Sequence, residues 1–171
     1  MRIVVAMHCG LLAALSVGCG RSAQEQLKAN KELVRQFAAS VDAGDWAAFD
    51  TLVAADIRRH SRATTASPEI RSREQFKRHE QARHTPWPDG HVTYDIMVAE
   101  GDFVAAYATF TGTHRGPLGT FAPTGRPVET QFLALFRVQD GQIAEIWVEW
   151  DNIATLTQLG LYPPADRRDG G

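Results

Sequence analysis

Cysteine is nearly missing from this chain of 171 residues, present only as Cys9 and Cys19. Nothing downstream of Cys19 can therefore form a disulfide framework, and the folded part must stand on its hydrophobic core. Excess charge of either sign is also missing: the formal balance is -2 and the pI near 6.3. That leaves no basic stripe to follow a phosphate backbone and excludes nucleic acid as a partner. No apolar run reaches the roughly 20 residues a membrane span needs. Missing too are a Gly-x-Ser-x-Gly elbow and the Gly-Lys-Ser/Thr of a phosphate cradle. His79-Glu80 and His84 fail as a zinc motif, because the histidines stand five apart rather than four and so fall on different helix faces. That stretch, with Lys77 and Arg78, reads as solvated helix surface, and no metal site is expected.

What is present begins with residues 1–19, which read as an export signal. Arg2 supplies a positive start, Ile3 to Val17 is mostly apolar, and Ser16-Val17-Gly18-Cys19 ends the run with small residues. Gly18-Cys19 resembles the bacterial lipoprotein signal, which implies lipidation of Cys19; Ser16 departs from that pattern, which prefers an aliphatic residue there. The expectation is an exported protein whose only membrane contact is an N-terminal lipid anchor on the periplasmic or cell-surface side, or else a secreted one. Residues 20–30 form a linker and the start of the first helix, 31–161 a single domain, and 162–171 a fraying tail with Pro163 and Pro164.

The folded part changes period midway. Leu27, Val34, Phe37, Ala38 and Val41 recur at helical steps, with Gly44 placed to end the helix. Asp45 caps a second helix carrying Trp46, Phe49, Leu52 and Val53, and Ser72-Arg73-Glu74-Gln75 opens a third. Beyond Gly90 the period is two. Val92, Tyr94, Ile96 and Val98 alternate with polar residues, Glu100-Gly101-Asp102 turns into a strand from Phe103 to Thr113, and strands follow at Val128 to Val138 and Ile143 to Trp150. These strands are expected to pair antiparallel, with a short helix near Ile153 to Leu159. Helices first and long strands afterwards predict an α+β fold with the helices on one sheet face.

The ordered set Trp87-Pro88-Asp89, Gly112-Thr113-His114-Arg115-Gly116, Pro123-Thr124-Gly125-Arg126, Asp140 to Trp147, Asp151 and Gln158-Leu159-Gly160 resembles the SnoaL-like polyketide cyclase (ester cyclase) branch of the NTF2-like superfamily. The resemblance implies a cone-shaped α+β barrel, with N-terminal helices packed on a curved, mostly antiparallel sheet around an apolar pocket. It also implies aldol-type ring closure or isomerisation of a carbonyl compound without metal or cofactor, and a homodimer through the open sheet face. Asp151 falls on the family's acid/base aspartate, and a carboxylate in an apolar pocket suits a group that must both take and give a proton. Equally, Asp151 precedes Asn152 where it would cap the last helix. His114 matches the family's histidine and would hold an enolate oxygen, or else fix its Gly/Pro-rich loop. His60 matches a pocket histidine of relatives, although Arg58-Arg59-His60-Ser61-Arg62 equally describes a solvated edge strand. Trp147, Trp150, Phe110, Phe37 and Trp87 are expected to wall the pocket for a hydrophobic ligand.

Strand parity raises a difficulty, since Asp151 shares its face with Trp147, Glu145 and Ile143. Either a bulge re-aims Asp151, or Glu145 and Glu149 belong to a polar face with Arg137 as partner. Two functions stay open: an enzyme that moves a proton beside a carbonyl, and an exported, lipid-anchored module that holds a hydrophobic small molecule unchanged.

Overall fold

The computed structural model describes residues 22–62 and 69–162. Residues 1–19, expected as an export signal with Cys19 as its lipidation site, and the tail beyond Tyr162 lie outside the described residues, as does most of the polar stretch before the third helix.

Helix α1, Ala23–Asp42, starts at a full capping box: Ser22 Oγ accepts the Glu25 N–H at 3.2 Å, and Glu25 Oε2 accepts the Ser22 N–H at 2.8 Å. Gly44, at φ +65°, turns the chain out of it. Asp45 caps α2, Trp46–Leu52, and β1, Val53–His60, follows without a break. Ser72 caps α3, Arg73–Arg83. Lys77 Nζ lies 2.7 Å from Asp50 and Arg73 bonds the carbonyls of Asp50 and Val53, so two side chains read as solvated or unplaced instead fasten α3 to α2 and β1.

Then come β2, His91–Glu100; β3, Phe103–Thr113; β4, Pro127–Gln139; β5, Gln142–Trp150; and α4, Asn152–Gln158. The sheet runs β1-β5-β4-β3-β2, antiparallel throughout except that β1 lies parallel to β5. It is open, with α1 and α3 over one face, and this is the expected α+β arrangement of the NTF2-like fold. Asp140 and Gly141, both at positive φ, make the tight β4–β5 turn that Asp-Gly favours.

Two bulges reassign faces. Tyr94 pairs with Ala108 but Ile96 with Tyr107, leaving Asp95 as an extra residue. Val92 and Tyr94 therefore point inward while Ile96 and Val98 point outward, each 61% exposed, instead of all four sharing a face. Likewise Arg137 pairs with Glu145 but Val138 with Ile143, so Ala144 is extra and Ile143, Ile146, Val148 and Trp150 all face inward. Glu145 and Trp147 go outward. Of the two solutions to the parity difficulty the polar face holds, and Arg137 is the partner of Glu145, with Nε 3.1 Å from its carboxylate.

The core lies between the helices and the inner face. Phe37, Phe49, Phe76 and Phe136 meet there, with Phe49 and Phe76 at 5.4 Å and Phe37 and Phe76 at 5.7 Å between ring centroids. At mid-sheet Ala106 pairs directly with Ala134, beside Ala108. Small side chains at the centre of a sheet leave space beneath the helices that larger ones would fill.

Candidate functional site

That space opens to solvent through a cleft of about 350 Å³. Its apolar walls come from Trp87, after α3, Phe110, on β3, and Trp150, at the end of β5. Trp150 stacks on Phe132 at 4.0 Å and stands edge-on to Phe110 at 5.9 Å, so the aromatic wall is fixed by its own packing. Deeper in, a narrow extension of about 60 Å³ is lined by Phe37, Phe136 and Tyr94. Arg59, Arg83 and Trp150 border both. Four of the five predicted wall residues, Trp150, Phe110, Phe37 and Trp87, thus line the cavity. The fifth, Trp147, lies on the opposite sheet face because of the bulge at Ala144.

The cavity's charge comes from α3 and β1, with Asp42 added from the end of α1. Glu80 is 8% exposed and takes Arg83 Nε at 3.0 Å. Burial alone would push the Glu80 carboxyl up, yet Arg83, His79 and Arg59 together hold it below the usual range. His79 lines the cleft, and burial lowers its pKa, which favours the neutral imidazole. Arg83 lies 5.6 Å from the Phe110 ring centroid, a cation over an aromatic face. On the floor, burial raises the Tyr94 hydroxyl and keeps it a donor. Asp42 there accepts the Val92 N–H at 3.1 Å and lies 2.8 Å from His91 Nδ1.

The structure corrects the reading of residues 79–84 as solvated surface. Glu80 and Arg83 follow the buried Phe76 by four and seven residues, the same helical stripe, and that spacing was the available signal. Charged side chains on an apolar stripe read as noise in the pattern, although they mark where a helix turns polar groups into a cavity.

The three predicted catalytic residues do not converge on one wall. Asp151 is exposed and caps α4, its Oδ1 accepting the Ala154 N–H at 2.8 Å; its neighbours Trp150 and Asn152 line the cleft. His60 points to the outer face, where Nε2 lies 2.8 Å from Glu145 and the ring stacks on Trp147 at 5.1 Å. One residue earlier on β1, Arg59 takes the inward place, since strand neighbours alternate.

His114 is fully buried and organises its loop. The Thr124 N–H donates to Nδ1 at 3.2 Å, so in a neutral ring the proton sits on Nε2, which is buried without a partner. Backbone bonds from His114 N–H to Arg126 O and from Gly125 N–H to His114 O, each 2.9 Å, fasten the loop ends together. The ring also packs on Trp87 at 5.3 Å. Just beyond, Gly116 lies so close to α3's exit that a Cβ there would stand 2.1 Å from the Thr85 carbonyl oxygen. The Arg115 N–H donates to Pro86 O at 3.0 Å in the same contact. Among the described residues no three His, Cys, Asp or Glu side chains lie together as a metal site.

Comparison with known proteins agrees with this architecture. IdmH from Streptomyces antibioticus, whose proposed role is polyketide cyclase, is 30% identical, covers 77% of this chain and 99% of its own, and superposes with a TM-score of 0.71. AclR from Streptomyces galilaeus, a proposed hydroxylase, is 25% identical over 83% of this chain and 100% of its own, with a TM-score of 0.68. A SnoaL-like protein from Jannaschia sp. CCS1, at 23% identity over 85% of this chain and 100% of its own, has a TM-score of 0.73 and speaks to the fold. No curated protein matches. The family model for SnoaL-like polyketide cyclases matches residues 31–159, the sheet and helices that build the cleft, and the chain belongs to that family.

Proposed function

We propose that this chain is a cyclase- or isomerase-type enzyme that moves a proton beside a carbonyl of an apolar small molecule, with the outer cleft as its site. Family membership supports the reaction class and small-molecule binding. The observation that carries the reading is an aromatic-walled cleft holding an imidazole with lowered pKa, His79, and a guanidinium, Arg83, anchored by a buried carboxylate. A neutral imidazole can accept a proton, and a fixed cation in an apolar surround stabilises the enolate oxygen that forms. Asp151 is the acid/base that the resemblance implies, and its position between two cleft-lining residues supports it; His79 is the group that the cleft wall itself offers.

Hydrogen–deuterium exchange beside the carbonyl of a panel of aromatic β-diketones, followed by NMR in D₂O, tests this. Accelerated exchange that disappears in His79→Gln assigns the proton to His79. Loss in Asp151→Asn, which keeps the cap, assigns it to Asp151. No acceleration by the wild-type protein overturns the reading. In that event the lipid-anchored binding module becomes the better account, and one observation favours it: Asp151, His114 and His60 each already serve a structural contact.

A homodimer through the outer sheet face belongs to the same proposal. Leu133, 62% exposed, lies beside Tyr107 and near Ile96 and Val98 on the sheet face that no helix among the described residues covers. A second copy would bury this patch.

A further inference from the structure

The outer cleft is one-sided in charge. Arg59, Arg83 and His79 line it, and among the described residues no aspartate or glutamate does. Arg83 is answered from behind by Glu80, and Asp42, deeper in, engages Val92 and His91 through Oδ2 while its Oδ1 is buried without a hydrogen-bond partner. Arg59 is different. It projects inward from β1, half-buried, at the junction between cleft and inner extension. Its backbone N–H bonds Ile70 O at 3.0 Å, whereas its guanidinium makes no hydrogen bond or ion pair with any described residue. Burial pulls the guanidinium below its usual range; Glu80 and Glu149 act more distantly against that, and Arg83 adds to it. A cation taken partly out of water with neighbouring carboxylates but no hydrogen-bonded partner is costly, and the fold keeps this one where the apolar cleft meets its inner extension.

Guanidinium donors match a carboxylate in a bidentate pair, and a lysine would not reproduce that geometry. Resting on the reading of the cleft as the substrate site, we propose that Arg59 recognises a carboxylate, and that the cleft takes aromatic or polycyclic molecules bearing one carboxylate group. The charged end meets Arg59 while the ring system lies along Trp87, Phe110 and Trp150. Arg59 is then a specificity residue, separate from the proton transfer assigned above.

Calorimetric titration of the purified protein with 2-naphthoate and with its neutral counterpart 2-naphthamide tests this, because the pair differ in charge and hardly in shape. The wild-type protein is expected to bind the carboxylate about tenfold or more tightly than the amide. Arg59→Gln is expected to abolish that preference while leaving naphthamide affinity within about twofold. Arg59→Lys, read alongside a thermal melt, should keep only part of the preference, and serves if the glutamine variant does not fold. Equal affinity for the two probes in the wild type, a preference that survives Arg59→Gln, or binding of neither probe overturns the proposal. The two readings fail separately. Carbonyl-side exchange without carboxylate preference removes this inference and leaves the catalytic one, whereas preference without exchange does the reverse.

Discussion

The two faces of the sheet solve opposite problems with the same strands. Inside, Val104, Phe110, Phe132 and Phe136 are buried around the centre where Ala106 meets Ala134, and the polar groups of that space come from β1 and α3, with Asp42 of α1 and Tyr94 of β2 on its floor. Outside, the apolar residues Ile96, Val98 and Leu133 are exposed, while His60, Glu145 and Arg137 bond one another. The inner face thus hides charge within an apolar shell, and the outer face shows apolar surface beside a closed polar network. A charge within an apolar shell favours chemistry or specific binding, whereas exposed apolar surface favours association.

The sharpest break between the faces is energetic. Phe136→Ala removes a ring that is 2% exposed and packed on Phe37 and Tyr94, and should cost roughly 3–5 kcal/mol in urea unfolding. An equal loss from Leu133→Ala, measured on dilute monomer, would erase the distinction; there the expected change is within about 0.5 kcal/mol.

Next in size, Glu80→Gln leaves Arg83 without its carboxylate and should cost about 3 kcal/mol at neutral pH. The acid limb sharpens the point. Both His79 and Glu80 bind protons more weakly folded than unfolded, so stability rises with pH through their windows. It should be complete above the ordinary histidine value of 6.5, decline as pH falls below that, and decline again below the ordinary glutamate value of 4.5. Urea midpoints between pH 3 and 8 check this, and Glu80→Gln should shrink the lower step, leaving the share of Asp89 and Glu145, whose carboxyls are also held low, and should deepen the upper one, because Glu80 no longer supports the His79 imidazolium. A lower step unchanged in that variant would assign it wholly to Asp89 and Glu145.

Smaller still, Asp151→Ala should cost about 1 kcal/mol through the lost cap, while Asp151→Asn should cost only a few tenths. On the outer face Leu133→Glu should leave folding intact and shift the sedimentation coefficient from dimer to monomer. A wild-type protein that sediments as a monomer at high concentration would end the dimer proposal.

Element types were legible because local signals agreed: Asp45 and Ser72 cap as their spacing implies, and strand limits at Phe103 and Thr113 fall where the period changes. The site was less legible, for a physical reason. A single extra residue such as Asp95 or Ala144 leaves hydrophobic alternation intact in the sequence while reversing which side of the sheet each later side chain meets. Hence Trp147, which shares plain alternation with the buried Ile143, stands on the opposite face, while Trp150 takes the inner one. Glu80 escaped for another reason: its burial depends on Arg83 and on the distant Arg59, a partnership no single helix displays.

The contact at Gly116 has a mechanical side. With no room for a Cβ against Thr85, and with Arg115 bonded to Pro86, the His114 loop and the exit of α3 are clamped at one point. His79, Glu80 and Arg83 therefore sit on a helix held at both ends, by Arg73 and Lys77 against α2 and β1 near its start and by the Gly116 contact just past its exit.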